Sequence, residues 1–352
     1  MSARIPKGAL TALITPFNEN GSVNWFGFKA LLRFQASQKV AGIVPVGTTG
    51  ESPTLTEGEH EDVVSFVLRH ELKGLFVLAG CGSNCTAEAM HYVGKVAAEG
   101  GKAVLLVDPY YNGPSSLELR SEYYGPIAEA FPDITIVPYI IPGRTGCKLL
   151  PEDLAILRGE YPNILAVKEA TGDLENMART RKLTSPEFQI FSGDDDKTFS
   201  MMTMPTIGAC GVISVVSNIA PFEVERMCLA VIQGDVAQAE IIRDKLAPLF
   251  KIVTVLADRE ISDFWLPQGT VISDKFRNPL PIKTAMNGLG MPAGPCRQPL
   301  GKMSAAGTQK VRQALQTVWD SSPDVLMPVQ EFFGVDIADR LKNDSLWAGL
   351  SY

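Results

Sequence analysis

Short apolar runs, each closed by Gly, Pro, Asn or Asp, recur along the first two thirds of the chain. They read as strands at 8–16, 42–47, 75–80, 103–109, 134–142, 164–168, 188–193 and 211–217. Their nearly continuous apolar character, rather than strict alternation, predicts parallel strands buried on both faces. Most intervals hold amphipathic stretches of helical length: TEGEHEDVVSFVLRHELK, TAEAMHYVGKVAAEG and, after the last strand, APFEVERMCLAVIQG. The first places Thr56 three residues before Glu59, the spacing of a capping box. Eight such units in about 225 residues are the size of a (β/α)8 TIM barrel. A doubly wound open sheet would announce itself by a Gly-rich phosphate loop after its first strand, and TPFNENGS supplies none.

Beyond residue 233 the pattern turns helical, over 236–250, 282–289 and 304–319. The chain therefore divides into a catalytic barrel at 1–233 and a C-terminal helical segment at 234–320, followed by an extension at 321–352. Aromatics, Pro and Gly break the helical pattern at 258–279, which predicts a structured loop or insertion there. In the extension, Phe332, Phe333, Val335 and Ile337 show little helical regularity before 336–342. An apolar tail of this kind is expected to pack on its own domain or on a sister subunit.

Composition narrows the function without changing this fold. The chain has 352 residues, 45% hydrophobic and 20% charged, which is ample for a large core. A formal charge of −7 with no run of Lys or Arg excludes a nucleic-acid footprint. The longest clean apolar stretches, such as 8–14 and 103–107, are too short to span a bilayer. MSARIPKGALTALITPF lacks the features of a secretory signal, and the six scattered cysteines read as free thiols. A cytoplasmic protein is expected. Only Cys81 and Cys85 lie close together, with no second pair to complete a zinc site.

Several catalytic motifs are excluded by inspection. LAVKEA resembles a kinase strand lysine, but all three histidines precede Lys168, so no HRD follows. GCGSNC places Cys85 where a dinucleotide fingerprint needs its third glycine, and neither a P-loop nor a G-x-S-x-G elbow occurs. His60, His70 and His91 avoid the strand ends and read as helix-surface residues.

A barrel collects its chemistry at the C-terminal strand ends. Here those ends read GTTGES, DPYYNGPS, PYIIPGRTG, VKEATG, FSGDD and GVISVVSN, which offer one lysine and no metal-ligand cluster. Lys168 ends an apolar strand, and pairing with Glu169 is poor because neighbours in a strand face opposite ways. Burial lowers a lysine pKa, and the resulting free amine condenses with a ketone or aldehyde to a Schiff base. No further cofactor is then required. The hydroxyls of Thr48 and Tyr139 are suitable proton relays, and the amides of Gly47–Gly50 form a candidate anion nest. Arg144 is the one fixed cation available to grip a second carboxylate.

Together these residues resemble the dihydrodipicolinate (4-hydroxy-tetrahydrodipicolinate) synthase family of the pyruvate-dependent, class I aldolase-like superfamily. The resemblance covers about residues 8–320 and rests on ITPF at 14–17, GTTGES at 47–52, DPYYN at 108–112, the Y-x-x-P-x-R-T-G of 139–146, VKEATG at 167–172, SGDD at 192–195 and GVISV at 211–215. It implies that Lys168 holds pyruvate as an imine and that Tyr139, Thr48 and Tyr111 form a proton relay, Tyr111 reaching in from a neighbouring subunit. It further implies that Thr49 helps bind the pyruvate carboxylate, that Arg144 receives the carboxylate of L-aspartate 4-semialdehyde, and that Gly193 and Ile213 border the imine. A homodimer or homotetramer is implied, as is an L-lysine feedback site matching Ser52, His60, Asn84, Glu88 and Tyr110. The chain departs from the family pattern at Ile140, Pro53 and Glu57 and in its extra length. Rival readings are a sugar-acid lyase or dehydratase of the superfamily, whose members tend to lack the loop arginine, and a non-catalytic barrel.

Overall fold

A computed structural model describes residues 3–70, 74–261 and 263–352. The end of the helical stretch read at 56–73 and Ser262 of the 258–279 segment lie outside the described residues. Eight strand segments alternate with helices: β1 (Gly8–Ala12), β2 (Gly42–Val44), β3 (Phe76–Val77, continued by Ala79–Gly80), β4 (Ala103–Val107), β5 (Thr135–Ile140), β6 (Ala166–Glu169), β7 (Gln189–Ser192) and β8 (Gly211–Ser214). Every neighbouring pair is parallel. The first part of β3 pairs with β2 and the second with β4. Pairing of Gly8 with Gly211 joins β8 to β1 and closes the barrel.

Closure sorts the side chains into two sets. Leu10, Val44, Leu105, Val137, Ala166 and Ile213 fill the interior, whereas Ala9, Ile43, Val104, Ile136, Val167 and Val212 pack outward. The surrounding helices are α1 (Trp25–Ser37), α2 (Glu57–Arg69), α3 (Thr86–Ala98), a bent α4 at 116–130 with a π-helical turn, α5 (Pro151–Glu160), α6 (Leu174–Leu183), α7 (Thr198–Thr203) and α8 (Pro221–Ile232). The predicted capping box is present at α2: Thr56 accepts from the Glu59 amide, and the Glu59 carboxylate accepts from the Thr56 amide.

After α9 (Val236–Phe250) the chain forms an antiparallel hairpin of β9 (Thr254–Ile261) and β10 (Thr270–Arg277). Its base is buried through Val255 and Ala257, and Lys310 of the following helical region donates to the Leu256 carbonyl at 2.7 Å. Its tip carries Phe264 and Trp265, 92% and 84% exposed. Then come α10 (Leu280–Leu289) and α11 (Ala305–Ser321). The extension is more helical than its pattern predicts, with α12 (Met327–Phe333), α13 (Ile337–Lys342) and α14 (Ser345–Ala348). Pro328 sits in the first turn of α12, where its missing N–H costs nothing. The tail packs on its own chain: the Phe332 and Phe333 rings lie 5.3 and 5.2 Å from Phe34 of α1, and the Trp347 ring fills the space beside Gly288.

One ionic network ties the helical segment to the barrel mouth. Lys283 of α10 is buried and uses all three ammonium protons, on Glu51 Oε1 at 2.7 Å, the Thr15 carbonyl at 3.0 Å and the Pro295 carbonyl at 2.7 Å. Glu51 Oε2 accepts from the Arg297 amide at 2.9 Å. The Arg297 guanidinium grips Glu59 through two bonds and lies over the Phe17 ring. This pairing holds the Glu59 carboxyl down to about 2. Replacing Lys283 with Met leaves the Glu51 carboxylate buried without its counter-charge, which should cost about 3–5 kcal/mol in denaturant unfolding. A loss under about 1 kcal/mol, ordinary for a surface change, would contradict this role.

Candidate active site

Period-two alternation fixes the direction of the central lysine. Ala166 of β6 belongs to the interior, so Lys168, two residues on, points the same way. Tyr139 of β5, two after interior Val137, also faces inward and is in register with Lys168. The Lys168 Nζ lies 4.0 Å from the centre of the Tyr139 ring. Lys168 is 5% exposed, with no hydrogen bond to Nζ among the described residues. Burial draws its pKa down to about 8; the charges of Asp194 and Asp195 act against the fall, and that of Arg144 adds to it. Burial likewise pushes the Tyr139 phenol up to about 12, while Arg144 and a hydrogen bond with Thr48 pull it back. At neutral pH the phenol is protonated, and a fraction of the lysine is free amine.

Glu169 points outward and leaves Lys168 without a neighbouring counter-ion, as the strand alternation predicts. Its carboxylate accepts from the Thr171 amide at 2.9 Å and from Asn176 Nδ2 at 3.1 Å, so it shapes the loop into α6. Asp195 accepts from the amides of Val215 and Val216 at 2.9 and 3.2 Å and from the Ser214 hydroxyl. Gly193 needs its missing side chain: a Cβ there would lie 2.6 Å from the Ala170 Cβ and 3.1 Å from the Lys168 Cε. Ile213 lies in the interior cluster with Tyr139.

In front of Tyr139 a cavity of about 210 Å3 opens at the barrel mouth, lined by Thr48, Ser52, Tyr110, Tyr139, Arg144 and Thr145 among others. Lys168 is outside this lining and rests against the Tyr139 ring. The GTTGE turn folds on itself, with the amides of Gly50 and Ser52 donating to the Gly47 carbonyl and that of Glu51 to Thr48. The expected four-amide nest loses the Gly50 amide to the Gly47 carbonyl and shrinks to Gly47, Thr48 and Thr49. Arg144 sits in a helical turn at Pro142–Thr145 and donates from Nη2 to the Asn278 carbonyl at 2.8 Å. Asn278 Nδ2 in turn donates to Thr49 Oγ1 at 2.9 Å.

Arg144 is not the one fixed cation of the mouth. Arg277, the last residue of β10, donates from Nη1 to the Gly143 carbonyl at 2.9 Å. Burial lowers the Arg144 pKa, and the neighbouring Arg277 charge lowers it further. Strand-end reasoning missed Arg277 and Asn278 because both come from the segment after the barrel. Adjacent Arg-Asn before a Pro that opens α10 was the available signal.

Tyr111 remains outside the site of its own chain. It is 91% exposed, and its backbone is held left-handed at φ 84°, a conformation that costs a non-glycine residue about 1–3 kcal/mol. The feedback residues are only partly gathered. Ser52 and Tyr110 line the mouth cavity, and the Glu88 charge reaches both His60 and Tyr110. Glu88 accepts from the Tyr92 hydroxyl at 3.1 Å and from the Ser83 hydroxyl. Asn84 is exposed in the turn before α3.

The helix-surface reading of the histidines fails for His60. It belongs to the buried stripe His60, Val63, Val64 and Val67 of α2, stacks 3.9 Å from the Tyr92 ring, and is lowered by burial to about 4. His91 lies on the helix exterior, paired with Glu57 and Glu61 at 3.1 and 2.6 Å. These three form the one group of convergent metal-type ligands among the described residues, away from the mouth cavity. The six cysteines are free thiols, and no helix is long and apolar enough to cross a membrane.

The sequence profile of the Dihydrodipicolinate synthetase family matches residues 5–260. The chain belongs to this family. The 4-hydroxy-tetrahydrodipicolinate synthase of Methanothrix thermoacetophila is 38% identical over 320 residues, 91% of this chain and 99% of that one. A dihydrodipicolinate synthase structure from Cyanidioschyzon merolae with lysine bound superposes with a TM-score of 0.79 at 34% identity, covering 90% of this chain and 99% of that one. The chloride-inhibited enzyme of Acinetobacter baumannii, complexed with pyruvate, gives a TM-score of 0.78 at 32% identity over 90% and 99% of the two chains. As a dihydrodipicolinate synthetase family member, the chain has the TIM barrel and C-terminal helical segment expected from its sequence.

The low Lys168 pKa is open to direct measurement. Competitive labelling with a small acylating reagent should give Lys168 a midpoint near pH 8, about two units below an ordinary lysine. Asp194→Asn removes a charge that favours the ammonium and should move the midpoint lower still. A midpoint above about pH 10 in the unaltered protein would contradict the desolvated setting.

Proposed function

We propose that the protein is a 4-hydroxy-tetrahydrodipicolinate synthase, a lyase-class enzyme that condenses pyruvate with L-aspartate 4-semialdehyde on the route to diaminopimelate and lysine. One observation carries the reading: a desolvated lysine without a hydrogen-bond partner among the described residues lies against Tyr139, which shares the mouth cavity with Thr48 and Arg144.

The neutral Lys168 amine attacks the pyruvate ketone and forms a C–N bond; its proton passes to the carbinolamine oxygen. Protonation of that hydroxyl expels water and leaves an imine. Tyr139, protonated and in contact with Thr48, supplies and recovers these protons. The protonated imine draws electrons from the methyl carbon, which loses a proton to give an enamine. The enamine carbon then attacks the aldehyde, whose oxygen takes up a proton. The substrate's own amine finally displaces Lys168 from the imine carbon and closes the ring. Thr49 and the first amides of the GTTGE turn bind the pyruvate carboxylate, Gly193 and Ile213 border the imine, and Arg144 receives the semialdehyde carboxylate.

Tyr111 enters the relay from a neighbouring subunit of a homodimer or homotetramer, a reading supported by its exposure and held left-handed backbone. Ser52, His60, Asn84, Glu88 and Tyr110 form an L-lysine feedback site, a reading supported by the Glu88 charge beside His60 and Tyr110. No metal takes part in the proposed steps, and the cytoplasm is the proposed compartment.

Borohydride reduction with pyruvate should add one reduced pyruvate to the protein, and peptide mass spectrometry should locate it on Lys168. No adduct there would sink the imine reading, and faster cleavage of sialic or keto-deoxy sugar acids than condensation of the semialdehyde would replace the synthase assignment. Arg144→Ala should weaken semialdehyde use by about tenfold or more, the worth of a charged hydrogen-bonded pair, while adduct formation persists. Equal loss of both would refute its assigned role. Mixing inactive Lys168→Ala and Tyr111→Phe subunits should restore turnover, since one hybrid site then holds both intact groups; no recovery in verified hybrids would place Tyr111 outside the shared site.

A further inference from the structure

The Thr254–Arg277 hairpin meets the arginine turn through a reciprocal pair of contacts. Arg277 at its end donates to the Gly143 carbonyl at 2.9 Å, and Arg144 donates back to the Asn278 carbonyl at 2.8 Å. Two adjacent residues of the turn are thus bonded to two adjacent residues leaving the hairpin. The hairpin side of this clamp is firmly mounted. The Asn278 amide donates to the Val253 carbonyl at 2.9 Å and closes the hairpin base. Val255 and Ala257 are buried, and Phe276 packs beside Gly307 of α11.

On the other side Thr145 is buried, whereas Gly143 is exposed. The Arg144 and Thr145 amides donate to Ile141 and the Gly146 amide to Pro142, and the Thr145 hydroxyl lies 3.2 and 2.9 Å from the Ile141 and Cys147 carbonyls. Arg144 spends Nη2 on the Asn278 carbonyl, which leaves its other nitrogen donors for a ligand in the cavity. The direction of those donors therefore depends on where Gly143 is pinned. A second guanidinium at the same place also raises the positive potential facing an approaching anion.

We propose that Arg277 is a positioning residue for the second substrate: from the hairpin it pins the Pro142–Thr145 turn so that Arg144 faces the cavity, and its charge sharpens selection for an aldehyde bearing a carboxylate. This rests on the synthase reading for the identity of the aldehyde, but the pinning of the turn does not. Pyruvate is held by Lys168 and the GTTGE turn, neither of which bonds to Arg277 among the described residues, and is little affected. The hairpin thereby acts on one substrate and not the other, through a backbone carbonyl.

The test compares Arg277→Ala and Arg277→Lys with the unaltered enzyme in three measurements. Arg277→Ala should raise KM for aspartate semialdehyde about tenfold, the loss of one charged hydrogen bond, while KM for pyruvate and borohydride-trapped adduct on Lys168 stay within about twofold. Arg277→Lys, which keeps the charge and a donor, should recover more than half of that loss. Hydrogen exchange at the amides of Arg144, Thr145 and Gly146 should speed up in Arg277→Ala and leave the α11 amides unchanged. An unchanged semialdehyde KM, or parallel loss for both substrates, overturns the positioning role. Unchanged exchange in the turn overturns it whatever the aldehyde is. An unaltered enzyme that traps pyruvate yet ignores aspartate semialdehyde would refute the synthase reading instead, and the exchange measurement would still decide the clamp.

Discussion

The cost of burying an ammonium governs this structure, and the chain meets it in two opposite ways. Lys283 and Lys168 are both buried. Lys283 has a carboxylate, two carbonyls and the face of Phe17 around its nitrogen. Each proton is matched, so the charge stays and holds the helical segment against the mouth. Lys168 has an aromatic ring and, beyond it, the fields of Asp194 and Asp195. With no direct acceptor to satisfy it, the ammonium gives way to the amine at mild pH. One buried lysine is a fastener and the other a nucleophile, and their hydrogen-bond partners make the difference.

The fastener also serves the nucleophile's surroundings. Glu51 follows directly on the Thr48–Gly50 turn, so the bond from Lys283 fixes the far end of the loop that carries Thr48 and Thr49. Asn278, at the start of the same helical segment, reaches Thr49 and Arg144 together. The two loops proposed to hold the two substrate carboxylates are therefore registered to each other by residues from outside the barrel. A barrel ending at residue 233 would present Lys168 and Tyr139 and leave Thr49 and Arg144 without their shared brace.

This division explains what could be read from the chain. The barrel strands and the direction of Lys168 follow from period and burial, which are local and strong. The Thr56–Glu59 cap is equally local. Even His60 was legible, since it begins the i, i+3, i+4, i+7 stripe that buries α2, although its residue type alone pointed to the surface. The Lys283–Glu51 bond spans 232 positions in sequence, and no short pattern marks it. Arg277 reads as an ordinary charged residue at the end of a polar hairpin until the fold brings it to Gly143. Tertiary pairing of this kind leaves its trace in composition only as a charge that has no local partner.

The acids near Lys168 also set how far its chemistry can follow pH. Burial pushes Asp194 up to about 6, against an effect of Lys168 in the other direction. Asp194 is therefore charged where the lysine titrates, near 8, and favours the ammonium there. As pH falls past 6, Asp194 takes up its own proton and that support for the ammonium disappears. The lysine's affinity for a proton then drops just as protons become more abundant. By then a lysine titrating near 8 already carries its proton almost throughout, so the Asp194 charge acts across the lysine's own titration and not below it. A direct Lys–Asp ion pair would do the reverse, holding the charge in place until well above the neutral range. Asp194 thus acts on the amine through its field, which tunes it, where a hydrogen bond would quench it.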